Sequence, residues 1–561
     1  MPTLTRKRTL DVKYKTTMTT RIRVFSILAI VFCNCIILAY AQSSSQPPNI
    51  LWISCEDLSP HFEFYGDNSV ATPNLSRLSR EGITYDNVFT TAGVCAPSRC
   101  AIITGVNQVT AGGHNMRTLL NTFPEKTGLP QAYSIVPPAE IKAFPEYLRA
   151  KGYYCTNNSK TDYQFEAPPT VWDEVSDKAT WRNRKEGQPF FAVFNIMVTH
   201  ESQVWFRKNH PMHVDPARVK LPPFYPDTKT VRNDVARFLS NVADLDSLVG
   251  GLLHQLEEDK LTDNTIIFFW SDHGDGLPFF KRELYDRGLH VPLVIRFPGK
   301  KDAGKREARL ISSIDFAPTV LSLAGIKPPS YMQGKAFLGK YKDDKPHQYI
   351  YAARDRMDSE YERVRAVRDT QYKYIRNFRP ELPLYQNVEF RLQQDMMKEM
   401  LVMRDKGELN EVQMKWFVPN KPAEELYDVR SDPYELNNLA TDPKQQATLI
   451  RLRKEMDRWL VEANDLGAIE EKQLISKMWQ GGDRPPSTAD VVIKATKDNL
   501  VTLSCETKGA SIGYKVIGNG EAEPASWSVY TKPVKLSKGQ TVKAVAQRIG
   551  FERSKESTVK M

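Results

Sequence analysis

The sequence predicts an α/β protein: a mostly parallel β-sheet covered by helices, with a small β-sandwich module appended at the C-terminal end. Three observations predict it. Short apolar runs alternate with amphipathic helical stretches from residue 49 to about residue 300, the rhythm of a parallel sheet buried on both faces. Acidic and histidine-containing clusters stand directly after several of these runs, where open α/β sheets bind their ligands. Beyond Gly481-Gly482-Asp483-Arg484-Pro485-Pro486 the composition shifts to short β-rich runs separated by Gly turns.

At the N-terminus, Arg21 and Arg23 precede an apolar run from Val24 to Leu38 that exits through Ala39-Tyr40-Ala41. Charged start, apolar centre and small-residue exit predict a secretory signal peptide over residues 1–41, with Met18 suited to be the true start. The run falls short of the roughly 20 residues that span a bilayer. No stable membrane span is therefore expected, and the protein is expected to be exported, periplasmic or secreted.

A linker, Gln42–Pro48, opens the main domain, residues 42–480. Asn49–Ser54 reads as a buried strand. Thr72-Pro73 starts a helix with Leu75 and Leu78 on its apolar face, and Gly82 ends it. A second helix is expected just after Pro97, ending at Gly105. Phe190–Val198 is a strand, and Val231–Leu256 is a long helix with Val235, Phe238, Val242, Leu245, Val249 and Leu252 on one stripe. Thr265–Trp270 and Val291–Phe297 are further strands. In the module, residues 487–561, Tyr514-Lys515-Val516 and the run Thr541–Ala546 have strand period.

Loss of residues 1–41 removes seven of the 77 Lys and Arg and one of the 67 Asp and Glu, leaving 70 basic and 66 acidic residues, a net of +4. That balance suits a polyanionic substrate without demanding one. No basic patch with interleaved aromatics occurs, so nucleic acid is not an expected partner. Cys33 and Cys35 leave with the signal; Cys55, Cys95, Cys100, Cys155 and Cys505 remain, too few for disulfides to build the fold. One Cys55–Cys155 or Cys100–Cys155 bridge is left open.

Glu56-Asp57, His200 and Asp272-His273 each follow a predicted strand, so the topology brings them together. Glu56, Asp57, Asp272 and His273 offer an oxygen-rich donor set for Ca2+, ahead of Mg2+, and such an ion would neutralise a bound anion. Cys95 lies just ahead of the expected helix start, with Arg99 close by; both features favour negative charge there. On residue chemistry alone Cys95 is better read as a structural thiol than as a nucleophile.

The run Gly93-Val94-Cys95-Ala96-Pro97-Ser98-Arg99-Cys100-Ala101-Ile102-Ile103-Thr104-Gly105 resembles the type I sulfatase signature over its whole length. The resemblance implies an alkaline-phosphatase-like fold and conversion of Cys95 to formylglycine (3-oxoalanine) by a formylglycine-generating or anaerobic maturation enzyme. It further implies that a hydroxyl of the hydrated aldehyde attacks sulfur and that the covalent ester then collapses. Glu56-Asp57 and Asp272-His273 resemble the family's two metal pairs, with Cys95 completing the shell. Lys160, in Gly152-Tyr153…Ser159-Lys160, and Lys281 resemble its sulfate-contacting lysines, and His200 the proton donor to the leaving alcohol; Arg99 is expected to brace charge beside Cys95.

One departure stands out: the family lysine is usually followed within three residues by a His, but here the run is Lys160-Thr161-Asp162-Tyr163. Asp162, Tyr163 or His114, the last in Gly112-Gly113-His114-Asn115-Met116-Arg117, are the candidate replacements, and with Arg117 they are the candidate substrate contacts. The resemblance spans roughly residues 48–440. The stretch Glu425–Glu435 resembles the family's smaller C-terminal α+β subdomain, placed after about residue 345. Tyr514, Trp527 and Tyr530 of the module are either a sugar platform or, better, core packing.

The activity expected is hydrolysis of a sulfate ester on a carbohydrate from a sulfated polysaccharide of ulvan, carrageenan, fucan or glycosaminoglycan type. A phosphodiesterase or phosphonate hydrolase of the same superfamily, and a non-catalytic sugar-binding protein, are the alternatives.

Overall fold

The computed structural model describes residues 47–120, 123–496 and 498–561; the predicted signal peptide lies outside the described residues. Eight strands form one sheet: β1 (Asn49–Cys55), β2 (Ile83–Phe89), β3 (Tyr154–Asn158), β4 (Glu174–Val175), β5 (Phe190–Ile196), β6 (Thr265–Ser271), β7 (Leu293–Arg296) and β8 (Lys305–Ser312). Their order is β4-β3-β5-β1-β6-β7-β2-β8. β1 is buried at every position, as a central strand covered on both faces requires.

Neighbours from β4 to β6 pair in parallel, as do β2 and β8. β7 runs against both of its neighbours. The sequence marks β7 as a strand but not its direction. Between β6 and β7 the one helix is the single turn Asp286–Leu289, too short for a parallel crossover, so the chain returns antiparallel. β2, with Asp86 and Asn87 half-buried, was not expected as a strand.

Alternate residues of β1 feed two cores. Leu51 and Ile53 join the stripe Val235, Phe238, Val242, Leu245 and Val249 on one face; Ile50 and Trp52 join Ile102, Ile103 and Phe316 on the other. The covering helices include α1 (Pro73–Glu81), α2 (Cys95–Thr104) and α3 (Lys229–Glu258). α2 starts three residues earlier than expected, with Val94 as its N-cap. Pro97 is no obstacle, because the N–H it lacks belongs to the first turn and has no helical partner. Cys95 therefore occupies the first helical position rather than preceding the helix.

The smaller subdomain is an antiparallel sheet of β9 (Ile350–Arg354), β10 (Val364–Arg368), β11 (Tyr372–Asn377) and β12 (Glu424–Asp428). It is covered by α4 (Gln446–Glu462) through Leu449, Leu452, Met456 and Trp459. Beyond it, β13 (Val492–Ala495), β14 (Leu500–Ser504), β15 (Ser511–Ile517), β16 (Ser528–Val529), β17 (Val534–Lys535), β18 (Thr541–Gln547) and β19 (Ser557–Lys560) form two antiparallel sheets, β13-β14-β17 and β16-β15-β18-β19. They share a core of Val501, Leu503, Leu536, Val542 and Ala544, on which Tyr514 and Tyr530 pack.

These strands are seated on the main body. Arg149 donates to the carbonyl of Trp527 at 2.6 Å, and Ser511 donates to Glu146 at 2.5 Å. Gly509, with φ +83, approaches so closely that a Cβ there would lie 2.1 Å from the Ala139 carbonyl oxygen. All five described cysteines are unpaired, so neither bridge left open by the sequence forms.

Candidate active site

Register builds the site. β5, β1 and β6 are adjacent, and Cys55 pairs with Ile196 on one side and Ser271 on the other. The three strands therefore end level, and the residues that follow (Glu56-Asp57, Thr199-His200-Glu201 and Asp272-His273) meet at one edge. Backbone bonds fix them there. Asp57 and His273 donate their N–H groups to Asp272 Oδ1 at 3.1 and 3.0 Å, Glu201 donates to Asp57 Oδ2 at 2.7 Å, and Thr199 donates its hydroxyl to the Glu56 carbonyl at 2.6 Å.

α2 enters from the opposite side. Ser98 anchors it by donating to the Asp272 carbonyl at 2.7 Å. Arg99 then spans both acidic pairs: its guanidinium is bonded to Glu56, lies 3.0 Å from Asp272 Oδ2 and donates to Asn195 Oδ1 at 2.8 Å. Lys160 reaches Glu56 Oε2 at 2.6 Å. Lys281 reaches Asp57 Oδ2 at 2.6 Å and Glu201 Oε1 at 2.8 Å, and Arg282 grips Glu201 with two bonds.

Glu56, Asp57, Asp272 and Glu201 are at most 1% exposed, so these pairings are what allow the ionised carboxylates to be buried at all. Burial alone would raise the Glu56 and Asp57 carboxyls, but Arg99 and Lys160 hold the first below its ordinary value and Lys281 the second. Asp272 is pushed up to about 6 by burial and by the Glu56 carboxylate. Four carboxylates face four side-chain cations here, so an arriving anion needs further positive charge.

Cys95 lies at the centre. Its sulfur comes within 4.8 Å of ligand atoms of Glu56, Asp57 and His200 in one group, and of Asp272 and His273 in another. Burial would raise the thiol, yet the charges of Lys160 and Lys281 hold it well below its ordinary value. The anion-stabilising environment expected from α2 is thus supplied mainly by two lysines.

The residues fit a divalent cation. His273 Nδ1 lies 2.9 Å from the Gly274 carbonyl, which only accepts, so Nδ1 bears the proton and Nε2 is free to ligate. Nε2 stands 3.1 Å from Asp57 Oδ1, and both atoms are buried without a hydrogen-bond partner. Oxygen and imidazole donors around one point suit such an ion.

His200 is oriented in the complementary way. Its Nδ1 lies 2.8 Å from the Ser202 hydroxyl and 3.3 Å from the Ser202 N–H; the N–H can only donate, so with Nδ1 accepting from both the proton sits on Nε2. Of the remaining candidates, Asp162 lies 3.5 Å from the Lys160 ammonium. Tyr163 is buried in the apolar cluster with Phe165 and Trp172, behind Arg99, and does not face Cys95. His114 is buried with Nδ1 unpartnered. Arg117 lies over the ring of Phe390. Sequence reasoning missed Glu201, Arg282 and Asn195, although Glu201 and Arg282 directly follow His200 and Lys281. It also missed His61, whose Nε2 and Nδ1 bind Asp275 at 2.6 Å and Asp67 at 2.7 Å.

With this geometry in hand, comparison with known proteins is decisive. Residues 48–326 match the sulfatase family model, and the chain is 46% identical over 543 residues to an ulvan-active sulfatase of Formosa agariphila, covering 91% of this chain and 90% of the relative. The chain belongs to the sulfatase family. It is a hydrolase of sulfate esters. Residues 274–416 of this sulfatase also match a model described as N-sulphoglucosamine sulphohydrolase, C-terminal. The human N-sulphoglucosamine sulphohydrolase is 24% identical, over 78% of this chain and 96% of its own.

Among solved structures, a protein in complex with its substrate D-glucosamine-2-N,6-O-disulfate aligns at TM-score 0.53 and 18% identity, over 76% of this sulfatase and 100% of that chain. A phosphonate monoester hydrolase of Agrobacterium radiobacter aligns at 0.53 and 17%, over 74% and 96%. These two likenesses speak to the fold.

Proposed function

We propose that this sulfatase is exported and removes sulfate from an ulvan-type carbohydrate, using a formylglycine made from Cys95 and a Ca2+ ion held by Glu56, Asp57, Asp272 and His273. The observation that carries this reading is the convergence of Cys95, Lys160, Lys281, His200 and His273 on one buried point. The relative in Formosa agariphila supports the substrate class.

Formylglycine supplies, as a hydrate, a hydroxyl nucleophile that can later be expelled. The cation supplies positive charge at the sulfate oxygens. The chain's own groups do the rest. Lys160 and Lys281, whose charges both act on Cys95, hold the sulfate in line with it. Arg99 keeps Glu56 and Asp272 ionised and spaced. His200, protonated at Nε2, gives its proton to the departing sugar oxygen. Asp162, 3.5 Å from the Lys160 ammonium, takes the part of the family's usual histidine in sulfate release. A maturation enzyme is the required partner, and residues 487–561 serve as an accessory module.

The test is sulfate release from ulvan oligosaccharides by the full chain coexpressed with a maturation enzyme, run beside phosphonate and phosphate esters. Faster turnover of the phosphorus esters would reject the reading.

A further inference from the structure

We propose that Arg117, Phe390 and Trp205 form the wall that recognises the sugar bearing the sulfate, with Arg117 taking a second anionic group of the substrate. The proposal rests on the reading of this protein as a carbohydrate sulfatase and adds to it the residues that select the sugar.

Phe390 packs against the apolar cluster that contains Cys95, Ala96 and Met116. Its ring centroid lies 6.3 Å from that of His200, the proton donor, and 5.2 Å from Trp205, which meets it at 71°. The Arg117 guanidinium stands 5.0 Å from the same ring centroid. All three side chains are half-buried. Because the two rings meet edge to face, one of them can turn its flat apolar face to the C–H face of a sugar while the other braces it.

Arg117 differs from the other arginines around the site. Arg99, Arg282 and Arg354 are each paired with a buried carboxylate. Among the described residues Arg117 has no such partner, only the aromatic face. Its fork is therefore available for bidentate bonding to a carboxylate or sulfate. Its backbone is held at φ 57, a conformation that costs energy for a non-glycine residue and concentrates at ligand sites. The loop carrying it is tied to the Phe390 segment by an ion pair between Lys126 and Glu389. The wall thus joins a loop of the main sheet to the chain between β11 and β12, sequences with no local relation to each other.

The experiment uses the matured full chain and two substrates: a sulfated disaccharide with one uronate carboxylate, and the same disaccharide after carboxyl reduction. Arg117→Gln should raise KM on the uronate substrate by about tenfold, the worth of a charge-assisted hydrogen bond, and clearly less on the reduced one. Arg117→Lys should recover part of the loss, and Phe390→Ala should raise KM on both. Equal effects of Arg117→Gln on the two substrates, or none on either, would overturn the proposal. Release of sulfate by the wild type from an aryl sulfate but from neither disaccharide would overturn the carbohydrate reading itself and the wall with it.

Discussion

His273 Nε2 stands 3.1 Å from Asp57 Oδ1, and neither buried atom has a hydrogen-bond partner. Two such atoms facing each other are costly unless a third group satisfies both. Chelation is therefore predicted to lower both activity and melting temperature, with Ca2+ restoring them. An ion at a hundred times its dissociation constant contributes about 2.7 kcal/mol. Asp57→Asn should abolish the calcium-dependent melting shift; a shift of wild-type size in that variant would place the ion elsewhere.

Arg99 joins the two acidic pairs, so its loss leaves Glu56 and Asp272 buried with one cation fewer. Arg99→Ala is predicted to destabilise the fold by about 3–5 kcal/mol, the usual cost of breaking a buried pair. Arg99→Lys should recover less than half, because an ammonium cannot bridge Glu56, Asp272 and Asn195 together. Denaturant unfolding at neutral pH measures both values.

His61 lies between Asp275 and Asp67, which raise its pKa to about 10 against the opposing effect of burial. A raised folded-state value gives stability that is complete below the unfolded imidazole's pKa, near 6.5, and is lost as pH rises through about 10. Melting temperature should thus fall across that window in the wild type and fall less in His61→Gln. Parallel curves would show that the pairing contributes nothing.

His200→Gln should lower kcat on a sugar sulfate by about 10²–10⁴, the usual worth of a general acid. The loss should be smaller on nitrophenyl sulfate, whose phenolate departs without a proton. Equal losses on the two substrates would assign His200 to sulfate binding instead.

The sheet was legible where a strand is uniformly apolar. Asn49-Ile50-Leu51-Trp52-Ile53 can only be a buried strand, and the acids that follow it mark the site. β2 was missed because its Asp86 and Asn87 interrupt the pattern near the edge of the sheet, and the reversal of β7 depends on a connection whose helical content no periodicity shows. The residues that the fold gathers around Cys95 were legible because they sit in contiguous motifs. Tyr163 was misplaced because proximity to Lys160 in sequence does not say which way a side chain turns; its ring goes to the core with Phe165. Phe390 and Trp205 carry no local signal and acquire meaning only when the fold sets them beside His200.

The central claim is that the group at position 95 is an aldehyde rather than a thiol. The direct measurement is the mass of the peptide containing residue 95 from active protein. The account predicts a peptide that has lost sulfur and two hydrogens and gained one oxygen, in a fraction that tracks specific activity. Fully active protein carrying an unmodified Cys95 would contradict it.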